Sequence, residues 1–312
     1  MRIMVMGATG AVGQRLLPML IDAGHEVVAA TRTPAKAEGL RALGALPVVC
    51  DALDREAVLG AVLGAEPEVI VHQMTALTGG SDYRHFDRTF AATNRLRTEG
   101  TRHLIEAAEA AGTRRVIAQS YTGWPFAREG GPVKDEDAPL DPDPPKNQRA
   151  SLAAIVECER LVRATPEGVV LRYGGFYGPG TSISPHGEIG ELLRKRRFPL
   201  VGDGGGVWSF THVDDAAAGV LAALPESAPG GTYAIVDDEP APVREWLPAL
   251  AEAVGAPPPR RVPVWLGRLA GGEVTTVLST QARGASNARA KAVLDWTPRW
   301  PTWRDGFRRG LG

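Results

Sequence analysis

Gly7-Ala-Thr-Gly10-Ala-Val-Gly13 follows directly on a short apolar run, Arg2–Met6, and opens a segment of helical period, Gly13–Ala23. Few folds accept three glycines at that spacing between a strand and a helix. The first glycine allows a tight turn and the second lets backbone approach a pyrophosphate. The third lets the helix pack closely on the strand, while the first helical N–H groups and the helix dipole favour an anion. The alternative is a plain strand–helix turn. Gly7, Thr9, Gly10, Ala11, Val12 and Gly13 are therefore candidate cofactor-binding residues.

The order of elements behind this turn supports the dinucleotide reading. Glu26–Ala30 reads as a strand, Ala35–Leu43 as a helix and Leu46–Val49 as a third strand. Ala57–Leu63 is helical, Glu68–His72 is a fourth strand, and Phe86–Ala111 reads as one long helix closed by Gly112. Arg115–Gln119 gives a fifth strand, Ser151–Ala164 a helix, and Val169–Tyr173 a sixth strand. Repeated β-then-α units imply a parallel sheet with helices on both faces, because parallel neighbours need crossovers. Trp124–Arg149 is rich in Pro and Asp and has no period, so it reads as a long loop. The expected division is a nucleotide-binding domain over residues 1–173, with a strand near 232–236 returning to its sheet, and a smaller substrate lobe over 174–312.

Composition removes other classes. A net charge of −1 gives no electrostatic case for nucleic acid. The apolar runs are short or broken by Asp, so no membrane span is expected, and the chain opens on a strand rather than a signal peptide. Two cysteines, Cys50 and Cys158, cannot make a disulfide framework, and the scattered histidines lack metal-ligand spacing. A cytoplasmic protein acting on a small molecule is expected, with no metal and with its oligomeric state open.

The end of the second strand bears on which dinucleotide binds. A carboxylate there would bind a ribose 2′-hydroxyl, whereas an arginine accommodates a 2′-phosphate. The chain reads Thr31-Arg32-Thr33, which favours NADP(H), unless Arg32 merely faces solvent. Asp51, after the third strand and beside Ala52, is placed to accept from an adenine amino group or to cap the next helix.

Gly7–Gly13, Asp51, Ser120, Leu171-Arg-Tyr-Gly-Gly-Phe-Tyr-Gly-Pro179, Ser209-Phe-Thr-His-Val-Asp-Asp215 and Gly284-Ala-Ser-Asn-Ala-Arg-Ala-Lys291 with Leu294-Asp-Trp296 recur in one order. Together they resemble the extended short-chain dehydrogenase/reductase superfamily, in its NAD(P)-dependent epimerase/dehydratase branch, over nearly the whole chain. The resemblance implies a Rossmann-like α/β domain, a C-terminal substrate lobe and an active site between them. It implies that Ser120, with Thr122 beside it, hydrogen-bonds the reacting oxygen, and that Gln73 and Met74 line the cofactor. Tyr173, Gly174 and Phe176 would flank nicotinamide and substrate; Tyr121 and His212 are, apart from the resemblance, candidate substrate-binding residues.

Two departures matter. Arg97 stands three residues before Gly100-Thr101, where the family carries Asn, and Asn94 lies almost one turn earlier. The usual Tyr-x-x-x-Lys pair is missing. The residues four after Tyr83, Tyr121, Tyr173, Tyr177 and Tyr233 are Asp87, Pro125, Tyr177, Thr181 and Asp237. Where the pair should fall, the chain reads Lys146-Asn-Gln-Arg-Ala-Ser-Leu-Ala-Ala-Ile-Val-Glu157. That lysine normally lowers a tyrosine pKa from about 10, and losing a positioned acid–base costs about 10²–10⁴-fold in rate. Alcohol oxidation, which epimerases and dehydratases require, suffers most. Ketone reduction needs hydride and a stabilised alkoxide, which Ser120 and Thr122 can supply, with the proton from water or from the substrate. An NADPH-dependent ketoreductase is thus expected, and the resemblance to atypical members of the superfamily that lack the pair, angucyclinone reductases among them, implies an aromatic polyketide-like substrate. The alternatives are a nucleotide-sugar epimerase or dehydratase and an inactive NADP-binding regulator.

Other groups carry double readings. His212 could donate a proton or cap the Ala-rich helix after it, and Tyr121 and Tyr173 could donate or form a wall. Arg194-Lys-Arg-Arg197 could grip a diphosphate or face solvent. Gly202–Gly206 lacks the ending of a phosphate loop and reads as a turn. Gly131–Pro145 reads as a lid or a mobile surface loop.

Overall fold

The computed structural model describes residues 1–77 and 82–312. Seven strands form one parallel sheet: β1 (Arg2–Met6), β2 (Glu26–Thr31), β3 (Leu46–Val49), β4 (Val69–His72), β5 (Arg115–Tyr121), β6 (Glu167–Tyr173) and β7 (Gly231–Ile235). Their order is β7-β6-β5-β4-β1-β2-β3. The chain runs outward from β1 to β3, then returns to build on the other side of β1. The connections at the C-terminal ends of β1 and β4 therefore part, and a crevice opens there.

Strand residues alternate between two cores. Ile3, Val5, Val69, Val71 and Leu171 pack on one face with helices α1 (Ala11–Asp22), α2 (Ala37–Ala42) and α9 (Val213–Ala222). Met4, Met6, Ile70, Val116 and Val170 pack on the other, with α3 (Arg55–Ala65), α6 (Thr101–Ala110) and α7 (Arg149–Arg163). Burial on both faces explains why these strands read as unbroken apolar runs. Beyond Gly174, apart from β7, α9 and a short C-terminal helix, the chain builds a third core in which α8 (Glu188–Arg194) packs with Tyr177, Phe210, Trp246, Trp303 and Phe307.

Two local expectations need correction. The segment read as one helix over Phe86–Ala111 is broken. It comprises α4 (Phe86–Thr89), α5 (Ala91–Arg95), a π turn (Leu96–Gly100) and then α6. The π turn absorbs an extra residue and brings both Arg97 and Gly100 inside. The segment read as a loop over Trp124–Arg149 contains a short strand, Val133–Lys134, paired with Gly284–Ala285. It covers the open edge of the sheet: Glu136 Oε1 accepts from the Ala234 N–H of β7 at 2.8 Å, and Arg172 donates to the Glu136 carbonyl at 2.9 Å. Satisfying that edge blocks further strand addition. Among the described residues no helix is long and apolar enough to cross a membrane.

Candidate active site

The turn after β1 is shaped by backbone. Gly7 has φ of +88°, and a Cβ there would lie 2.5 Å from the Gln73 carbonyl oxygen. A Cβ on Gly13 would lie 2.5 Å from the Ala8 oxygen, so α1 sits as close to β1 as glycine allows. Gly10 caps α1 with no side-chain acceptor, and the first turn carries no acid. The amides of Ala11, Val12 and Gly13 are thus left for an anion. A Cβ on Gly180, from a loop beyond β6, would lie 3.6 Å from the Ala11 side chain, so the turn is bordered from the far side as well. Thr9 is half-buried. This cradle fits a dinucleotide pyrophosphate.

Arg32 stands exposed at the end of β2 and has no ion-pair partner among the described residues. Asp51 Oδ1 accepts from the Leu53 N–H at 3.0 Å, whereas the cap of α3 is Asp54, whose Oδ1 accepts from Ala57 at 3.1 Å. Asp51 is therefore not the helix cap, and its carboxylate remains exposed at the mouth of the crevice, with Ala52 buried beside it.

At the end of β4, the Gln73 side-chain amide donates to the Tyr173 hydroxyl at 3.3 Å, and its Oε1 is buried without a partner among the described residues. Tyr173 is fully buried and donates to the Ala216 carbonyl at 3.3 Å, and burial pushes its pKa up. It props Gln73 from the α9 side. Met74 is buried, and its N–H donates to His72 Nδ1 at 3.1 Å. The His72 proton is thereby placed on Nε2, which reaches Thr101 Oγ1 at 3.0 Å. Burial, reinforced by Arg97, lowers the His72 pKa to about 4, so the ring is neutral.

At the end of β5, Ser120 points toward α7 and donates to Glu159 Oε1 at 2.6 Å. Glu159 in turn holds Arg172 through two contacts, at 2.8 and 2.7 Å. The carboxylate and guanidinium are both buried, which is tolerable because each is paired and hydrogen-bonded. Thr122 is buried with its hydroxyl unpartnered among the described residues. Tyr121 is half-buried and tilts against Trp124, with ring centroids 6.3 Å apart. Burial raises its pKa, so it presents a neutral phenol.

Helix α7 offers neither a tyrosine nor a lysine to this crevice. Elsewhere Lys134 donates to the Glu129 carbonyl, Lys195 pairs with Glu191 and Lys291 with Asp238, while Lys36 and Lys146 are exposed. Asn94 donates to Ser151 at 3.0 Å, leaving its carbonyl oxygen and the Gln148 amide nitrogen buried and unpartnered. Gln148 and the Glu159–Arg172 pair were missed by sequence reasoning. Glu159 was detectable, because it falls on the apolar stripe of Ser151, Ile155, Cys158 and Val162, where a carboxylate must find a partner.

On the lobe side, a Cβ on Gly174 would strike the Ser209 oxygen at 2.3 Å, and Phe176 is half-buried 5.2 Å from the Tyr173 ring. His212 lies apart from the other candidates. Its Nδ1 accepts from Asp214 at 3.1 Å, capping α9, and its Nε2 donates to the Gly310 carbonyl at 2.8 Å. Both ring nitrogens are thus occupied, and burial lowers its pKa. A small apolar cavity of about 30 Å³ is lined by Tyr83, Phe198, Trp208, Trp246 and Leu278, among others, with no cation in its described lining. From Tyr83 an aromatic series leads through Phe86 and Trp124 to Tyr121. Arg194 pairs with Glu191 and donates to the Pro185 carbonyl, so it is engaged within its own helix region.

Residues 3–236 match the model of a family described as "NAD dependent epimerase/dehydratase family". The chain is 48% identical over 312 residues to a 3-diazoavenalumate denitrifying reductase from a Streptomyces species, covering 99% of this chain and 100% of that one. It is 31% identical over 264 residues to a 4-hydroxy-2-methyl-3-oxo-4-farnesyl-3,4-dihydroquinoline-1-oxide ketoreductase of Stigmatella aurantiaca, covering 82% and 74%. Among solved structures, the Thermus thermophilus UDP-glucose 4-epimerase in complex with NAD superposes with a TM-score of 0.75 at 24% identity, covering 100% and 98%.

Proposed function

Because this chain belongs to the NAD dependent epimerase/dehydratase family of Rossmann-fold oxidoreductases, we propose that it is an NADPH-dependent reductase that removes a diazo group from an aromatic secondary-metabolite intermediate. The observation that carries this reading is a crevice whose α7 wall has no tyrosine–lysine couple and whose Ser120 proton is directed to Glu159. Such a site suits a reduction that asks no proton of the protein.

The β1–α1 turn would hold the pyrophosphate of NADPH, with Arg32 at the 2′-phosphate and Asp51 at the adenine, and the bound cofactor would supply hydride. An aryl diazonium that accepts one hydride becomes an arene and dinitrogen. The C–N bond breaks, a C–H bond forms, and charge balances without acid or base. Ketone reduction and sugar epimerisation each need a proton moved. The full-length relative of 48% identity, a denitrifying reductase by name, supports the same choice. The aromatic series from Tyr83 to Tyr121 offers stacking and apolar contact to a flat conjugated substrate.

Ketone reduction is the second reading, favoured by the unpartnered Thr122 hydroxyl, which can donate to a developing alkoxide. The Stigmatella ketoreductase supports it. In that case a hydroxyl on the substrate or a water supplies the proton, and Ser120 acts through Glu159 rather than directly.

The test is to incubate the protein with NADPH and a hydroxyarene diazonium salt, and to measure dinitrogen release against a no-protein control. One dinitrogen per NADPH consumed is expected. Release no faster than the control, together with turnover of hydroxyaryl ketones, would replace this reading by the second. Turnover of a UDP-sugar would overturn both.

A further inference from the structure

Arg97 is the buried charge that the site leaves unbalanced. It sits in the π turn, 6% exposed, and makes neither an ion pair nor a side-chain hydrogen bond among the described residues. Its charge is felt by His72 at the end of β4, by Tyr121 at the end of β5, and by Cys158 and Glu159 on α7. Arg97 stands between Asn94, which donates to Ser151 on α7, and Thr101, whose hydroxyl meets His72 at the end of β4 and Cys158 on α7, so it is enclosed where the carboxyl end of β4 meets α7, the end of the sheet at which ligands bind in folds of this kind. The one carboxylate among those neighbours, Glu159, is already held by both contacts to Arg172 and by Ser120. His72 is neutral and the Cys158 thiol is raised by burial, so neither offers a counter-charge. The Tyr121 hydroxyl makes no hydrogen bond among the described residues, and the phenol feels the Arg97 charge.

A cation in such surroundings costs stability unless a partner arrives. We propose that Arg97, assisted by the Tyr121 phenol, binds an anionic oxygen of the substrate conjugated with its reducible group, such as a phenolate. This inference rests on the reading of the chain as a reductase of an aromatic substrate, and it adds a chemical reason for the residue. A ring oxyanion pushes electrons toward a diazonium or carbonyl group and blunts it toward hydride. Pairing with a guanidinium keeps the charge on oxygen and leaves the acceptor electrophilic. Arg97 would thus set specificity for substrates bearing that oxygen.

The experiment uses 4-nitrophenol, whose anion is coloured, so binding is read without turnover. In full-length protein saturated with NADP⁺, the wild type should bind the nitrophenolate and draw the bound phenol toward its anion. Arg97→Met should lose affinity by about tenfold or more, and Arg97→Lys should retain an intermediate affinity. Affinity for NADP⁺ should stay within about twofold, since the cofactor's charged groups lie at the β1–α1 turn. Thermal stability of ligand-free Arg97→Met should equal or exceed that of the wild type, because an unpaired buried charge has gone. Undiminished nitrophenolate binding by Arg97→Met would overturn the proposal. An equal loss of NADP⁺ affinity would assign Arg97 to the cofactor, and a lowered melting temperature would make it structural. If Arg97→Met does not fold, Arg97→Lys decides by the same binding readouts. Failure of the diazonium assay alone would leave these binding results standing and would count only against the reaction.

Discussion

Two regions face each other at the carboxyl ends of the strands, and they are made of different materials. The β1–α1 turn is almost wholly backbone: Gly7 and Gly13 have no space for a Cβ, and α1 begins without a capping side chain. The crevice over β4, β5 and α7 is made of side chains, several charged and buried: Glu159, Arg172, Arg97 and neutral His72. A backbone site needs particular glycines at fixed spacing and tolerates little else. A side-chain site can be rebuilt by exchanging one residue for another on a different element, as long as the buried charges still balance. This is how the chain keeps a family turn while lacking the family couple.

The sharpest way to test the side-chain half is Glu159→Gln, which leaves Arg172 buried without its counter-ion. A loss of about 3–5 kcal/mol in unfolding free energy is expected by denaturant titration. Joint replacement of Glu159 and Arg172 by apolar residues of similar size should recover most of it. If the single variant is neutral, the crevice is not built on that pair.

A second measurement on the same half is pH-dependent. The folded pKa of His72 is about 4 against an ordinary value of 6.5. Between these values the unfolded chain binds more protons, so this residue makes stability rise with pH, by roughly 3 kcal/mol across the window. The stability of His72→Gln relative to the wild type should lack that slope. Parallel profiles would show that the ring is not buried neutral.

The backbone half is probed by Gly7→Ala, which forces φ of +88° on a residue with a Cβ aimed at Gln73. The strain costs about 1–3 kcal/mol, and dinucleotide affinity by calorimetry should fall by about tenfold or more. A variant that binds as tightly as the wild type would break the claim that this turn is the cradle. The smallest effect is expected for Arg32→Ala. NADPH affinity should drop by about tenfold with NADH little changed, a difference of about 1.4 kcal/mol. Equal losses for both cofactors, or none, would remove the preference for the phosphorylated form.

Much of the fold was legible because its signals are local. Strand positions, the glycine turn and the returning strand near β7 follow from apolar runs and turn residues over a few positions. The break in the helix at Phe90 and the π turn at Leu96–Gly100 were not, since Phe86–Ala111 keeps a helical pattern throughout and the extra residue is placed by packing against α7. The covering role of Glu136 was equally hidden. It depends on β7, almost a hundred residues away, arriving at the sheet edge with a free amide.

The sequence by itself determined that a three-glycine turn of dinucleotide-binding spacing follows the first strand and that no Tyr-x-x-x-Lys pair follows, because both are statements about neighbouring residues. Only the tertiary structure decided where charge is left over. Ser120 faces Glu159, His212 is tied to Gly310, and Arg97 is enclosed with no carboxylate paired to it among the described residues. The physical reason is that a buried ion is judged by the distance to its counter-ion, and that distance is set by elements far apart along the chain.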